Sequence, residues 1–434
     1  LEPIENGYGS LIKTLENVGY RLGETLFIAD WDWRLPLAPT DATADGTLTL
    51  PGTGAEAAAS ISDATFSNAL DYLGFTLRQA AEAWASANDG AALAAVDLIT
   101  HSTGGLIARA YLQSTAYGQA YATGLLLPEV QNFVQIGVPN QGTTQVFNFL
   151  ADNFAASPTA RLAGLVAGLG YQHVLGGGVI TAPGGNITLD SIRTAGVADP
   201  VKFLRAYFPS LVDLTSTLPF LDLNAADGLT LVDVNSGPSA STFLLDLNAG
   251  DATAFIDRLD GEFSVLYSSH LDTPDYLQTR TGNAVPGVIV SLENPLGGPP
   301  GSTQVWYDQA FAANGDGTVS AASAWGLFAG LTSGPRFDKL KRVEFTTGTA
   351  GTAGHTALTY NTSALTHILG QLGATNFTSV LDTDERHTTA EQASSLLNYA
   401  FGFFLANPGA LPDAFAILGS TLDAVFGYLN ALDS

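Results

Sequence analysis

The stretch Val96-Asp97-Leu98-Ile99-Thr100-His101-Ser102-Thr103-Gly104-Gly105-Leu106-Ile107-Ala108-Arg109 constrains the fold more than any other. It opens as a short apolar, β-branched run and turns sharply at residues 101–104. It continues with Leu106, Ile107, Ala110 and Tyr111 at helical spacing. Strand, tight turn and helix, with a serine at the apex, is the layout of a nucleophile elbow. Such a turn holds the serine backbone in a sparsely populated conformation and so needs small neighbours. Gly104 supplies one of them; Thr100 stands at the other position, giving T-H-S-T-G in place of G-x-S-x-G. A buried Ser-Gly turn after a core strand has the same local signature, so the decision falls to the rest of the chain.

Charge narrows the field of partners. Acidic residues outnumber basic ones 41 to 16, a formal net charge of −25. Such a surface repels phosphate backbones, which excludes nucleic acid as a partner, and it disfavours anionic membrane surfaces. With no cysteine, the 434 residues hold neither disulfides nor thiolate metal sites. Methionine is also absent, and the chain opens Leu1-Glu2-Pro3 without a basic and apolar leader, as expected of a processed chain or a fragment. An acidic, cysteine-free composition rich in Gly, Ala, Thr and Ser leads us to expect an exported bacterial protein, extracellular or at the cell surface. No apolar run is long enough to span a bilayer.

Taken in order, residues 7–18 read as a helix with Leu11, Ile12 and Leu15 on one face. Glu24 to Ala29 reads as a strand, followed by Asp30-Trp31-Asp32-Trp33-Arg34. Phe66 to Ala87 is an amphipathic helix, and Gln131 to Val138 another core strand. From Gly142 to about residue 282 the pattern is irregular, with Gly-rich runs and short apolar helices. Pro286 to Ser291 and Val343-Glu344-Phe345 restore the strand rhythm. The expected architecture is α/β, a mostly parallel doubly wound sheet formed by residues 1–142 and 283–385. Residues 143–282 are then an insertion above it, and 386–434 form apolar carboxyl-terminal helices. In that last section Phe415, Leu418, Leu422, Val425, Phe426, Leu429 and Leu432 share one helical face, as for packing on the core or for contacting lipid or a partner.

A serine nucleophile needs a base to take its proton and a carboxylate to hold that base in one tautomer. Of six histidines, His101 adjoins the serine but is expected to point to the other side of the elbow. His173 and His270 fall in the insertion, His367 on an exposed helix face, and His387 in a charged stretch. His355, in Gly351-Thr352-Ala353-Gly354-His355-Thr356, is the best placed, on a loop shortly after the last strand. Asp316, in Asn314-Gly315-Asp316-Gly317-Thr318-Val319, is the candidate acid, its flanking glycines letting the carboxylate reach inward. N-G-D-G also suits a plain turn or a calcium loop, but the closing glutamate of an EF-hand is missing. Ser102, Asp316, His355 is the chain order of an α/β-hydrolase.

Asp32-Trp33-Arg34, the His-Ser-x-Gly-Gly elbow, Gly-Asp-Gly-Thr-Val and the late Gly-His together resemble the lecithin:cholesterol acyltransferase-like branch of the α/β-hydrolase lipases. The resemblance runs in patches from about Tyr8 to His355. It implies a cap and lid at residues 143–282 over an acyl pocket. It also implies hydrolysis of apolar or lipid esters, or transfer of the acyl group to an alcohol. Ser102, Asp316 and His355 would be the catalytic residues, with the Thr103 N–H as an oxyanion donor and no metal or other cofactor. Asp32 and Arg34 would form a structural pair near the floor of the site. The insertion lacks a basic cluster for an anionic headgroup, so neutral apolar esters are the expected substrates. A second reading, from a different class, is a non-catalytic surface or assembly protein built on the same fold.

The resemblance carries one more expectation. In that family a strand lies in the sheet between those ending here at Ala29 and Thr100, and its loop donates the second oxyanion N–H. The chain has no room for it before its first helix, and an empty slot would leave two rows of buried peptide groups unpaired, at about 1–3 kcal/mol each. A separate amino-terminal segment of the same precursor is therefore expected to fill the slot. Intact mass of the native protein after denaturation should reveal that second polypeptide. A chain that begins at Leu1 and is active alone would show the alignment at this end to be wrong.

Overall fold

In a computed structural model, the structure describes residues 8–41, 43–151, 167–168, 170–181, 185–222, 229–236, 239–281 and 305–374, without the side chains of 279–281 and 305–313. Its centre is a four-stranded, wholly parallel sheet. The strands are β1 (Ala95–His101), β2 (Glu129–Ile136), β3 (Phe263–Ser268) and β6 (Leu340–Phe345), in that spatial order. Two further strands, β4 (Leu271–Thr281) and β5 (Val305–Gly315), form a long antiparallel hairpin in a second four-stranded sheet.

Period-two alternation sends side chains of one strand to opposite faces, and both faces here are apolar. On one face Phe133, Phe263, Val265 and Tyr267 meet α2 (Ala55–Ile61), α3 (Ala69–Ala87) and α4 (Gly104–Gln113) through Ile61, Leu70, Leu73, Leu106 and Tyr111. On the other, Val134, Ile136 and Leu266 meet Leu11 and Leu15 of α1 (Gly9–Asn17) and Leu365, Ile368 and Leu369 of α5 (Thr362–Gln371). The strand β3 is buried throughout, as a strand covered on both sides and both edges must be. No residue of β1 is fully buried, and β1 has no neighbour on its outer edge among the described residues.

Three expectations change. Residues 24–29 form no strand; an isolated bridge joins Leu22 to Leu26, and Ile28 is 39 % exposed. Apolar β propensity alone does not make a strand without a neighbour to take its N–H and C=O groups, and none stands beside it among the described residues. The chain also returns to the central sheet at Phe263, inside the section expected as insertion, because β3 carries the buried Phe263, Val265 and Leu266. His367 is half-buried rather than exposed, hydrogen-bonded through Nε2 to Ser264 Oγ at 2.8 Å. Pro286 to Ser291, His387 and the segment 386–434 lie outside the described residues. Among those described, no helix is long and apolar enough to cross a membrane.

The insertion carries helices Gln145–Leu150, Pro200–Tyr207 and Pro209–Asp213 around small apolar clusters of its own, while Thr242–Leu247 packs Phe243, Leu244 and Leu247 into the main core. It is strapped to the loop before α2 at three points. Arg34 donates to Thr181 O, Ser210 Oγ to Trp33 O, and the Leu37 N–H to Asp213 Oδ2 at 2.8 Å. Arg34 is paired through Nε and Nη2 with Asp32, so the expected structural pair is present and also reaches the insertion. Asp213 is 9 % exposed, and burial pushes its carboxyl up to about 7 against the single N–H that favours the charge.

A raised carboxyl pKa stabilises the fold below the ordinary aspartate value and loses that contribution as pH rises through the raised one. Asp213→Asn keeps an acceptor for Leu37 and removes the charge. Thermal melts should therefore show the variant's melting temperature gaining on wild type between about pH 4 and about pH 7. A gap that does not change with pH would mean that Asp213 titrates normally.

Candidate active site

The turn between β1 and α4 places Ser102 at φ +53°, the left-handed region that side chains disfavour. It is held there by its neighbours. The Ser102 N–H donates to Ile136 O at 2.9 Å, beyond the last register pair of β1 and β2. Thr100, where a glycine was expected, fits because its hydroxyl donates to Val134 O at 2.8 Å. The strict glycine requirement falls on Gly105 rather than Gly104. A Cβ on Gly105 would lie 2.3 Å from a methyl of Val138, whereas one on Gly104 would make an ordinary 4.0 Å contact with Thr100.

Across from the elbow, His355 Nε2 lies 2.8 Å from Ser102 Oγ, and His355 Nδ1 lies 2.8 Å from Asp316 Oδ2. All three residues expected for the chemistry are thus brought together, from loops 214 and 39 positions apart in the sequence (316 − 102 and 355 − 316). A carboxylate accepts only, so Nδ1 carries the proton and Nε2 is free to accept from the serine hydroxyl. The His355 side chain is 15 % exposed and that of Asp316 is 2 %.

Asp316 directly follows β5, so the long hairpin delivers it. Its Oδ1 accepts from the N–H groups of Thr318 and Val319 at 2.9 and 2.7 Å. Burial works against its charge, but the His355 ring and these two N–H groups outweigh it and hold the carboxyl below its ordinary value. The backbone joins the two loops as well, His355 N–H donating to Asp316 O at 2.9 Å. Thr103, the expected oxyanion donor, caps α4, and its N–H donates to no backbone carbonyl among the described residues.

One participant was not visible in the sequence, and His101, expected as a structural residue near the site, points otherwise than expected. Gly137, just past β2, has φ +57°, and a Cβ there would lie 3.1 Å from both Asp316 Oδ2 and His355 Nδ1. It is the space in which the acid and the base meet. His101 does not turn away from the site: its ring packs 4.6 Å from that of His355, centroid to centroid. Its Nε2 contacts His355 O at 3.1 Å, and its Nδ1 contacts the Tyr8 hydroxyl at 2.8 Å. Desolvation, then the neighbouring His355, push its pKa down to about 3. Among the described residues no three His, Cys, Asp or Glu are grouped to hold a metal.

On the hydrolase reading proposed below, Gly137→Ala should cut turnover by about tenfold or more while the melting temperature falls only modestly, the left-handed backbone costing about 1–2 kcal/mol. Unchanged turnover in a folded variant would mean that the acid–base contact tolerates displacement. No protein-family model matches the chain and no curated protein is similar to it, so the geometry of Ser102, His355 and Asp316 carries the functional argument.

Proposed function

We propose that the chain is a serine ester hydrolase on an α/β-hydrolase fold, cleaving apolar carboxylic esters through an acyl-enzyme. The single observation that carries this reading is Ser102 Oγ at 2.8 Å from His355 Nε2, with Asp316 Oδ2 2.8 Å from the other ring nitrogen. The coarser features agree: a parallel sheet, the nucleophile on a strained turn after a strand, and acid and base following in chain order.

The chemistry follows from the atoms. Ser102 Oγ bonds to the ester carbonyl carbon as its proton passes to His355 Nε2, and the carbonyl electron pair moves onto oxygen. The Thr103 N–H donates to that oxyanion, an interaction of about 3 kcal/mol in comparable sites. Asp316 stays ionised in its buried niche and stabilises the imidazolium through Nδ1–H. Collapse of the intermediate breaks the ester C–O bond, and His355 returns its proton to the leaving alkoxide. Water, activated by the same histidine, then releases the acid; an alcohol in its place would accept the acyl group. The insertion's clusters of Val146, Phe149, Leu150, Val201 and Leu204 suit a lid over an apolar substrate.

A fluorophosphonate probe tests the reading directly. It is expected to add covalently at Ser102 and to leave Ser102→Ala unlabelled. Ser102→Ala and His355→Ala should each lower p-nitrophenyl ester hydrolysis by about a thousandfold or more while retaining wild-type circular dichroism. An unlabelled wild type, or either variant turning over at the wild-type rate, would overturn the assignment.

A further inference from the structure

The residue before the nucleophile is held more tightly than an elbow requires. A carbonyl oxygen only accepts, so the 3.1 Å contact between His101 Nε2 and His355 O places the His101 proton on Nε2. Nδ1 is then a bare acceptor, and the Tyr8 hydroxyl donates to it at 2.8 Å. The opposite tautomer would set a ring lone pair against the carbonyl oxygen. Only one protonation pattern therefore satisfies both contacts.

The consequence lies in the backbone of His355. Its N–H donates to Asp316 O, and its C=O accepts from His101. One peptide group of the base is tied to the acid loop and the other to the residue that precedes the serine. The loop carrying His355 comes from a distant part of the chain, and the side chain of His101 sets its height above Ser102.

We propose that Tyr8 and His101 are positioning residues for the general base, His101 fixing the His355 main chain relative to Ser102 and Tyr8 fixing the tautomer that lets it do so. The proposal rests on the esterase reading and deepens it. Neither side chain is hydrogen-bonded to Ser102 Oγ or to a ring nitrogen of His355; His101 reaches His355 through its carbonyl and by ring packing. A 1 Å displacement of a catalytic group costs rate rather than binding, which sets the form of the test.

Three variants separate positioning from filling space. His101→Phe keeps a ring but has no donor, His101→Gln keeps a donor but has no ring, and Tyr8→Phe removes only the hydroxyl. With p-nitrophenyl butyrate, His101→Phe should lower kcat by about 10- to 100-fold with KM changed less than about twofold. His101→Gln should recover part of that loss, and Tyr8→Phe should show a smaller one. Imidazole ¹⁵N spectra of histidine-labelled wild type should show His101 as the Nε2–H tautomer, with that signature weakened in Tyr8→Phe. The proposal is overturned if His101→Phe outperforms His101→Gln, if kcat is unchanged in both, or if His101 is Nδ1–H in wild type. Should His101→Phe fail to fold, Tyr8→Phe and the spectra decide. A wild type that neither hydrolyses the ester nor reacts with a fluorophosphonate would defeat the esterase reading instead, and the tautomer would still test the relay.

Discussion

The left-handed backbone of Ser102 is the constraint on which the rest of the structure depends. A non-glycine residue there costs about 1–3 kcal/mol and persists only where its surroundings over-determine it. Here they do so from three directions. The sheet takes the Ser102 N–H at Ile136 O, Thr100 is tied to Val134 O, and Gly105 lies directly against Val138. All three attachments are to β2 or to the turn after it, so the neighbouring parallel strand holds the elbow. A parallel pair in register to its last residues is thus a requirement of the site, since a slip between β1 and β2 would free the serine.

His355 and Asp316 face a different difficulty, because a buried carboxylate is costly unless each of its oxygens is satisfied. Asp316 meets this locally, with two N–H groups from its own turn on Oδ1 and the imidazole N–H on Oδ2. The turn that follows β5 therefore supplies both the carboxylate and two of its three hydrogen bonds. The imidazole then adds the last partner, and Gly137 provides the opening through which that contact is made. With its net charge of −25, the protein has no shortage of carboxylates; this one is distinguished by burial and by its ties.

How far the sequence revealed this follows from the range of each interaction. The elbow was legible because a strained turn imposes its residue types within five positions. Asp316 was legible because a carboxylate capping its own turn needs the N-G-D-G pattern, and chain order then pointed to His355. Gly137 was not, since the atoms that exclude a Cβ come from residues 179 and 218 positions further on (316 − 137 and 355 − 137). The side-chain direction of His101 was misjudged for the same reason: its partners are Tyr8 and the His355 carbonyl, 93 and 254 positions away. The fold shows the same division. Helices α1, α3 and α4 and strand β2 were read from periodicity to within a few residues, whereas α2 was not read, residues 24–29 have strand composition without a strand, and β3 was hidden in an irregular section.

One buried group ties these parts together at the back of the site. Arg109, on the helix that begins at the elbow, is fully buried with no carboxylate paired to it among the described residues, and burial lowers its pKa to about 9. Its guanidinium donates to Asn140 Oδ1, Leu247 O and Asn248 Oδ1 and lies over the ring of Phe255. Asn140 in turn donates to Gln135 Oε1 and Ala324 O, and its own carbonyl accepts from Asn248. The cation thus joins α4, the end of β2, the loop beyond Gly137 and the helix Thr242–Leu247 of the insertion. Its acceptors are uncharged oxygens on several elements, while its Nε–H is buried without a hydrogen-bond partner among the described residues. Distributed carbonyl and amide acceptors let one side chain fix several elements at once. The loop on which Asp316 and His355 meet is thereby anchored to the helix that follows Ser102.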